Sequence, residues 1–236
     1  MSKKGYLSND AAAFYGACLC EALHHLHSRN ICHRDIKPEN VLINSDGYIV
    51  LVDFGFSKIV LDKSFTTCGS PEYMAPEMLL GKGHTLSVDH YAVGVLIYEM
   101  LVGQTPFIHL GATKMTLFRR IANGKFAFPS QQHGITVCDE AKSLIRGLLN
   151  KDCTKRIGSS LTQGDEEISS NPWFQGLLTE YREAFLAEKV SPPWIPNIDD
   201  ELDASYFGSH DKLEKEMLSK KRDVLDKKSQ KLFTGF

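Results

Sequence analysis

The 236-residue sequence predicts a mainly α-helical domain with a small β-hairpin inset, followed by an extended C-terminal tail. Three observations predict it. Apolar residues recur at helical spacing through most of the chain. Two β-branched runs flank a single turn signal near residue 45, and a proline-rich break at residues 191–196 precedes a highly charged stretch.

The elements follow in order. Over residues 8–29, Tyr15, Leu19, Ala22, Leu23 and Leu26 share one helical face, Ser8 is a candidate N-cap, and Asn30 closes the helix. Residues 40–43 and 48–52 read as strands around the turn Asn44-Ser45-Asp46-Gly47. Residues 54–75 lose all periodicity and are rich in Ser, Thr, Gly and Pro, as a long surface loop would be. The run 88–102 is apolar on every side, which predicts a helix through the centre of the core. It falls short of the roughly 18 residues a membrane span needs. It also carries Asp89, His90 and Glu99, so its two acids require partners. Residues 113–122 and 139–149 are helical, and no further paired strand is expected up to about residue 188.

The tail differs in kind. Ser191-Pro192-Pro193-Trp194-Ile195-Pro196 cannot continue a helix and should run extended. Asp199, Asp200, Glu201 and Asp203 follow; residues 212–231 then hold eight Lys or Arg against four Asp or Glu, read as a solvated helix rather than a docking segment. With a formal charge of −2, nothing marks the basic surface of a nucleic-acid binder. Six cysteines without framework spacing and an N-terminus without a secretory signal imply free thiols in a reducing compartment, cytoplasmic or nuclear.

The chemistry lies between residues 33 and 77. His33-Arg34-Asp35-Ile36-Lys37-Pro38-Glu39-Asn40 comes first, then Asp53-Phe54-Gly55, then Ala75-Pro76-Glu77. Phosphoryl transfer needs aligned reactants and compensation for phosphate charge. Asp35 is suited to accept a hydroxyl proton, and Lys37, two residues on, to neutralise the moving group. Asn40 and Asp53 supply the hard oxygens Mg²⁺ prefers. Gly55 is expected to give backbone freedom behind Asp53 while Phe54 packs inward over His33. Alone, either aspartate would read as a surface turn; the ordered set excludes that.

By these three motifs the chain resembles the C-terminal lobe of AGC-group protein serine/threonine kinases, from about Gly5 to the last residue. The resemblance implies residues 1–184 as that lobe, without the N-terminal lobe, and 185–236 as an AGC-type tail. It implies ATP and Mg²⁺ as cofactors, with Asp35, Lys37, Asn40 and Ser70 catalytic and Asn40 and Asp53 the metal ligands. Thr66, in Ser64-Phe65-Thr66-Thr67-Cys68-Gly69-Ser70-Pro71-Glu72-Tyr73-Met74, becomes the activating phosphosite, its phosphate paired with Arg34 and Lys58. Glu77 pairs with Arg156, and Asp89 holds the catalytic-loop backbone. Glu39, Glu99 and Met74 face a peptide groove that prefers basic Ser/Thr sites, although either glutamate could instead form only an internal pair. Leu42 forms an adenine floor, with Asp53, Glu39 and Phe207 on the nucleotide side.

Within the group the chain is similar to cyclic-nucleotide-dependent kinases, with a lean to the cyclic-GMP type. The residues carrying this are Gly55-Phe56-Ser57-Lys58, Asn171-Pro172-Trp173-Phe174, Pro193-Trp194-Ile195-Pro196 and the terminal Phe233-Thr234-Gly235-Phe236. A cyclic-nucleotide-binding regulatory domain or subunit is the partner this implies. Phe233 and Phe236 would fill a pocket on the small lobe, whose Gly-rich loop and Val-Ala-Ile-Lys-type lysine do not occur in the 236 residues. A truncated kinase is therefore expected, with a non-catalytic docking module as the alternative. Two departures stand out: Asp89-His90-Tyr91 replaces the usual Asp-Trp-Trp, and Phe207-Gly208-Ser209-His210 replaces the tail's acidic aromatic stretch.

Cys18, Cys20, His24, His25, His27, Cys32 and His33 crowd into sixteen residues, as the ligands of a zinc site would. Their spacings fit no zinc pattern, and Cys18 and Cys20 point about 200° apart on a helix. Buried thiols and a half-exposed histidine face are expected instead.

Overall fold

In the computed structural model, residues 5–108, 113–129, 135–159, 164–198, 200, 203, 205 and 206 are described. They carry helix α1 (Asn9–His27), strand β1 (Ile31–Cys32), the hairpin strands β2 (Val41–Ile43) and β3 (Ile49–Leu51), and β4 (Lys58–Ile59). Helices α2 (Pro76–Leu79), α3 (Ser87–Val102), α4 (Lys114–Asn123), α5 (Asp139–Leu148), α6 (Asp165–Ser169) and α7 (Arg182–Leu186) follow. Residues 1–196 form one unit and 197–236 another.

Ser8 does cap α1, its Oγ accepting the Ala11 N–H at 3.2 Å. The helix ends at His27, two residues before the expected stop, and the chain turns through Asn30, which takes φ 57°. The apolar run forms α3, in which every residue from Ser87 to Val102 except Glu99 is buried. It packs between α1 and α5, with Gly94 against Leu148 and Leu149. Two small antiparallel sheets complete the lobe. In the hairpin, Val41 pairs with Leu51 and Ile43 with Ile49, as the sequence implies. Gly47 at its tip has φ 88°, and a Cβ there would fall 2.6 Å from Pro192 and from the Trp194 carbonyl. The extended segment after α7 thus lies across the hairpin turn, and Tyr48 donates its hydroxyl to the Val190 carbonyl at 2.7 Å.

The loop expected over residues 54–75 is more ordered than its composition suggests. Phe54–Phe56 form a 3-10 turn. Lys58 and Ile59 pair with Cys32 and Ile31, and Ser64 bridges to His84. Strands of two residues leave no periodic trace, so only the long-range partner creates them. The six cysteines form no disulfide. Burial pushes the Cys18 thiol up to about 12 and raises Cys20 and Cys32 further, which keeps these thiols protonated. No helix among the described residues is long and apolar enough to cross a membrane.

Two buried polar clusters pin the loops to this core. In one, the fully buried Arg156 guanidinium donates to both Glu77 oxygens, at 2.6 and 2.9 Å, and to the Ser87 and Asn150 carbonyls at 3.0 and 3.1 Å. Its plane lies 5.0 Å from the Tyr91 ring centroid. Removing one partner leaves an uncompensated buried charge, which costs about 3–5 kcal/mol. Arg156→Met is therefore expected to destabilise the lobe by about that amount, read as a fall in the urea midpoint at unchanged slope.

Candidate active site

The second cluster forms around Asp89 in the first turn of α3. Its Oδ2 accepts the backbone N–H of His33 at 2.8 Å, and its Oδ1 that of Arg34 at 2.8 Å. His27, from the last turn of α1, donates to Oδ2 through Nε2 at 2.9 Å. Burial opposes ionisation of Asp89, but these donors outweigh it and hold the carboxyl below its ordinary range. Asp89 therefore clamps the segment that presents Asp35 and lets Arg34 sit at φ 69°. His33, buried, donates through Nε2 to the Val52 carbonyl at 3.2 Å, which joins this segment to the strand before Asp53.

Asp35 is buried and gathers four donors. Lys37 Nζ reaches Oδ2 at 2.7 Å and Asn40 Nδ2 reaches it at 3.0 Å. Ser70 gives both its backbone N–H, at 2.9 Å, and its hydroxyl, at 3.1 Å, to Oδ1. Lys37 Nζ also donates to Ser70 Oγ at 3.1 Å, closing the ring. Burial raises the Asp35 pKa, but the Lys37 and Ser70 contacts more than reverse this, and the net shift is downward. Ser70 can reach Asp35 because Gly69 takes φ 93°; a Cβ there would fall 2.5 Å from the Arg34 carbonyl. Asn40 spends its N–H groups on the Asp35 carbonyl at 2.8 Å and on its carboxylate, leaving the amide oxygen for a cation. Asp53 is exposed, and its Oδ1 accepts the Gly55 N–H at 3.1 Å. Two hard oxygen donors of this kind suit Mg²⁺.

Two expectations for the Asp53-Phe54-Gly55 turn need correction. The left-handed residue is Asp53 itself, at φ 61°, while Gly55 has no positive φ. Gly55 matters because a Cβ there would press within 3.0 Å of Asp53 Oδ1. Phe54 does not pack inward: it stays 49% exposed, with its ring edge-on to His33 at 5.1 Å.

The remaining site residues fall as follows. Arg34 and Lys58 converge, though on Ser64 Oγ, at 3.3 and 3.4 Å, while Thr66 is exposed beside them in the chain. Glu99 accepts a short hydrogen bond from the Tyr73 hydroxyl. Burial raises the Glu99 pKa, and the neighbouring Glu72 and Glu39 add to the rise. Tyr73 was missed by sequence reasoning, since only the fold carries it to a residue 26 positions away. Met74 is buried and lines a small cavity with Asp35, Ser70 and Tyr73. Glu39 is exposed, and Leu42 is about a third exposed at 37%. Phe207, Phe233, Phe236 and the basic stretch 212–231 lie outside the described residues.

A protein kinase domain family matches residues 1–174. The chain is 39% identical over 198 residues to cAMP-dependent protein kinase type 3 of Saccharomyces cerevisiae, covering 84% of this chain and 47% of the relative. It is 37% identical over 227 residues to the mouse cAMP-dependent protein kinase catalytic subunit PRKX, covering 96% of this chain and 60% of the relative. It is 38% identical over 212 residues to the serine/threonine-protein kinase gad8 of Schizosaccharomyces pombe, covering 89% and 35%. The chain belongs to the protein kinase family, in the AGC group of serine/threonine kinases. The two cyclic-nucleotide-dependent relatives among these three are of the cAMP type, not the cyclic-GMP type toward which the sequence leaned. The chain spans roughly half the length of the first two relatives and about a third of the last.

Because Asp89 has a folded pKa below its unfolded value, its contribution is present above about pH 4 and is lost as pH falls through the folded value. Asp89→Asn is expected to cost about 2 kcal/mol at pH 7. That difference should shrink in urea titrations repeated below pH 4.

Proposed function

We propose that this chain carries the catalytic lobe of a serine/threonine protein kinase that transfers the γ-phosphoryl group of ATP to serine or threonine in basic protein sequences. The observation that carries this reading is the convergence of Lys37, Asn40 and Ser70 on the buried Asp35 carboxylate. Asp35, ionised at neutral pH, accepts the hydrogen bond of the incoming hydroxyl and then its proton. Lys37 neutralises charge on the transferred group, and Ser70 holds Lys37 and Asp35 in register. Asn40 and Asp53 would hold Mg²⁺, which when bound offsets charge on the phosphates. Leu42 is the adenine floor. Residues 1–184 are the large lobe and 185–236 the tail; Phe207, Phe233 and Phe236 of that tail lie outside the described residues.

Substrate selection rests on carboxylates. A half-buried Glu99 whose pKa is raised by burial and by Glu72 and Glu39 gains from a guanidinium brought beside it. With Glu39, it selects arginine or lysine ahead of the phosphorylated residue. The Arg34 and Lys58 pair, now turned on Ser64, is a receptor for a phosphate on Thr66. Similarity to two cAMP-dependent protein kinases supports control by a cyclic-nucleotide-binding regulatory subunit or domain.

The test is phosphate transfer from labelled ATP to arginine-containing serine peptides, using the endogenous polypeptide captured through its C-terminal tail. Asp35→Asn and Asp53→Asn are each expected to lower kcat by at least about 100-fold. Peptide binding without turnover in the unmutated protein would establish the docking module instead. An active Asp53→Asn variant would remove Asp53 from the metal site. Thr66→Ala is expected to lower kcat/KM about tenfold or more, by analogy with other charge switches on loops; unchanged activity would remove Thr66 as the switch.

A further inference from the structure

The residue next to Asp89 points away from the catalytic chemistry. His90 stands where the resembling kinases have tryptophan, and it is 5% exposed in the first turn of α3. Its Nδ1 is buried without a hydrogen-bond partner. Its Nε2 lies 3.4 Å from Asp165 Oδ1, where α6 begins. His27 comes from α1 and sets its ring against His90 at a centroid separation of 4.9 Å. His27, His90 and Asp165 each offer one donor atom, and the three atoms lie within 4.8 Å of one another.

We propose that His27, His90 and Asp165 form a zinc site built across α1, α3 and α6. The donor set is two imidazoles and one carboxylate, the nitrogen and oxygen chemistry that suits Zn²⁺. The spacing agrees. Tetrahedral zinc bonds of about 2.0–2.1 Å place neighbouring ligand atoms about 3.3 Å apart. The 3.4 Å between His90 Nε2 and Asp165 Oδ1 is close to that edge, and is long for an ordinary N–H···O bond.

Two of the three ligands are held in place from behind. The other Asp165 oxygen, Oδ2, is held by His24 Nδ1 at 2.7 Å, so the carboxylate is aimed before any cation arrives. His27 is held at Nε2 by Asp89 at 2.9 Å, the carboxylate–imidazole pairing that orients metal-bound histidines. A small cavity lined in part by Cys20, His24, His90 and Asp165 adjoins two of the three ligands.

The pattern search along α1 finds no zinc site because two of the three ligands come from elsewhere in the chain. The site would matter to the lobe as well as to itself, since His27 and the loop amides of His33 and Arg34 share the Asp89 carboxylate. A cation binding only the folded cluster stabilises it by mass action.

The experiment uses the full 236-residue chain, stripped with a chelator and titrated with Zn²⁺ against a chromophoric competitor. One Zn²⁺ per chain is expected, with an X-ray absorption edge showing nitrogen and oxygen neighbours and imidazole scattering. His90→Phe and Asp165→Asn should each weaken binding at least about tenfold. His25→Ala, an exposed histidine on the same helix, should leave it unchanged. Asp165→Asn sits at a half-exposed position and can still bond His24, so it keeps the test independent of whether His90→Phe folds. Sulfur neighbours in the spectrum, no stoichiometric binding, or wild-type affinity in both variants would each overturn the site.

Discussion

An ionised carboxylate in the core is the constraint around which this lobe is organised. Burying such a charge costs several kcal/mol unless donors replace its water. Asp89 meets that requirement with two loop amides and one imidazole, and its place in the first turn of α3 adds the favourable end of the helix dipole. The consequence is mutual dependence. Helix α3 cannot sit in the core without the 33–34 segment over its end, and that segment cannot hold Arg34 at a positive φ without Asp89. The apolar packing of α1, α3 and α5 supplies the stability, while the carboxylate supplies the register.

The same logic operates at the far end of the 54–75 segment. Glu77 lies in the first turn of α2, and Arg156 reaches it from a turn 79 residues later, with the guanidinium satisfied by two oxygens, two carbonyls and the Tyr91 face. Between these two anchors the chain is held lightly, by a two-residue strand pair, by the Ser64–His84 bridge and by Ser70 on Asp35. A segment fixed at its ends and weakly held between them suits a regulated element, because a few new contacts can change its arrangement. Arg34 belongs to both systems: its amide serves Asp89, and its guanidinium contacts the Phe56 carbonyl and Ser64.

Around Asp35 the geometry is over-determined. Lys37, Asn40 and Ser70 each bond Asp35, and Lys37 and Ser70 bond each other, so no member can rotate without stranding another. Such a network holds reacting groups before a substrate arrives, which is where electrostatic catalysis gains most. Glu99 and Glu39 are held more loosely: Glu99 accepts from the Tyr73 hydroxyl, and Glu39 stands in solvent.

Periodic and local features were legible in the sequence alone. The Ser8 cap, the all-round apolar α3, the hairpin around Gly47 and the ordered set Asp35, Lys37, Asn40 and Asp53 all depend on neighbours within a few residues, where spacing carries the signal. The tertiary structure decided what depends on distant partners. It paired Lys58 and Ile59 with β1, turned Arg34 and Lys58 on Ser64, put the strained backbone on Asp53 instead of Gly55, and left Phe54 half exposed. It also brought Tyr73 to Glu99, and His90 and Asp165 to His27. Local spacing determines which helix or turn can form, because those hydrogen bonds close within about four residues. Which side chains then meet across the lobe is set by how the helices pack, and no window of sequence contains that packing.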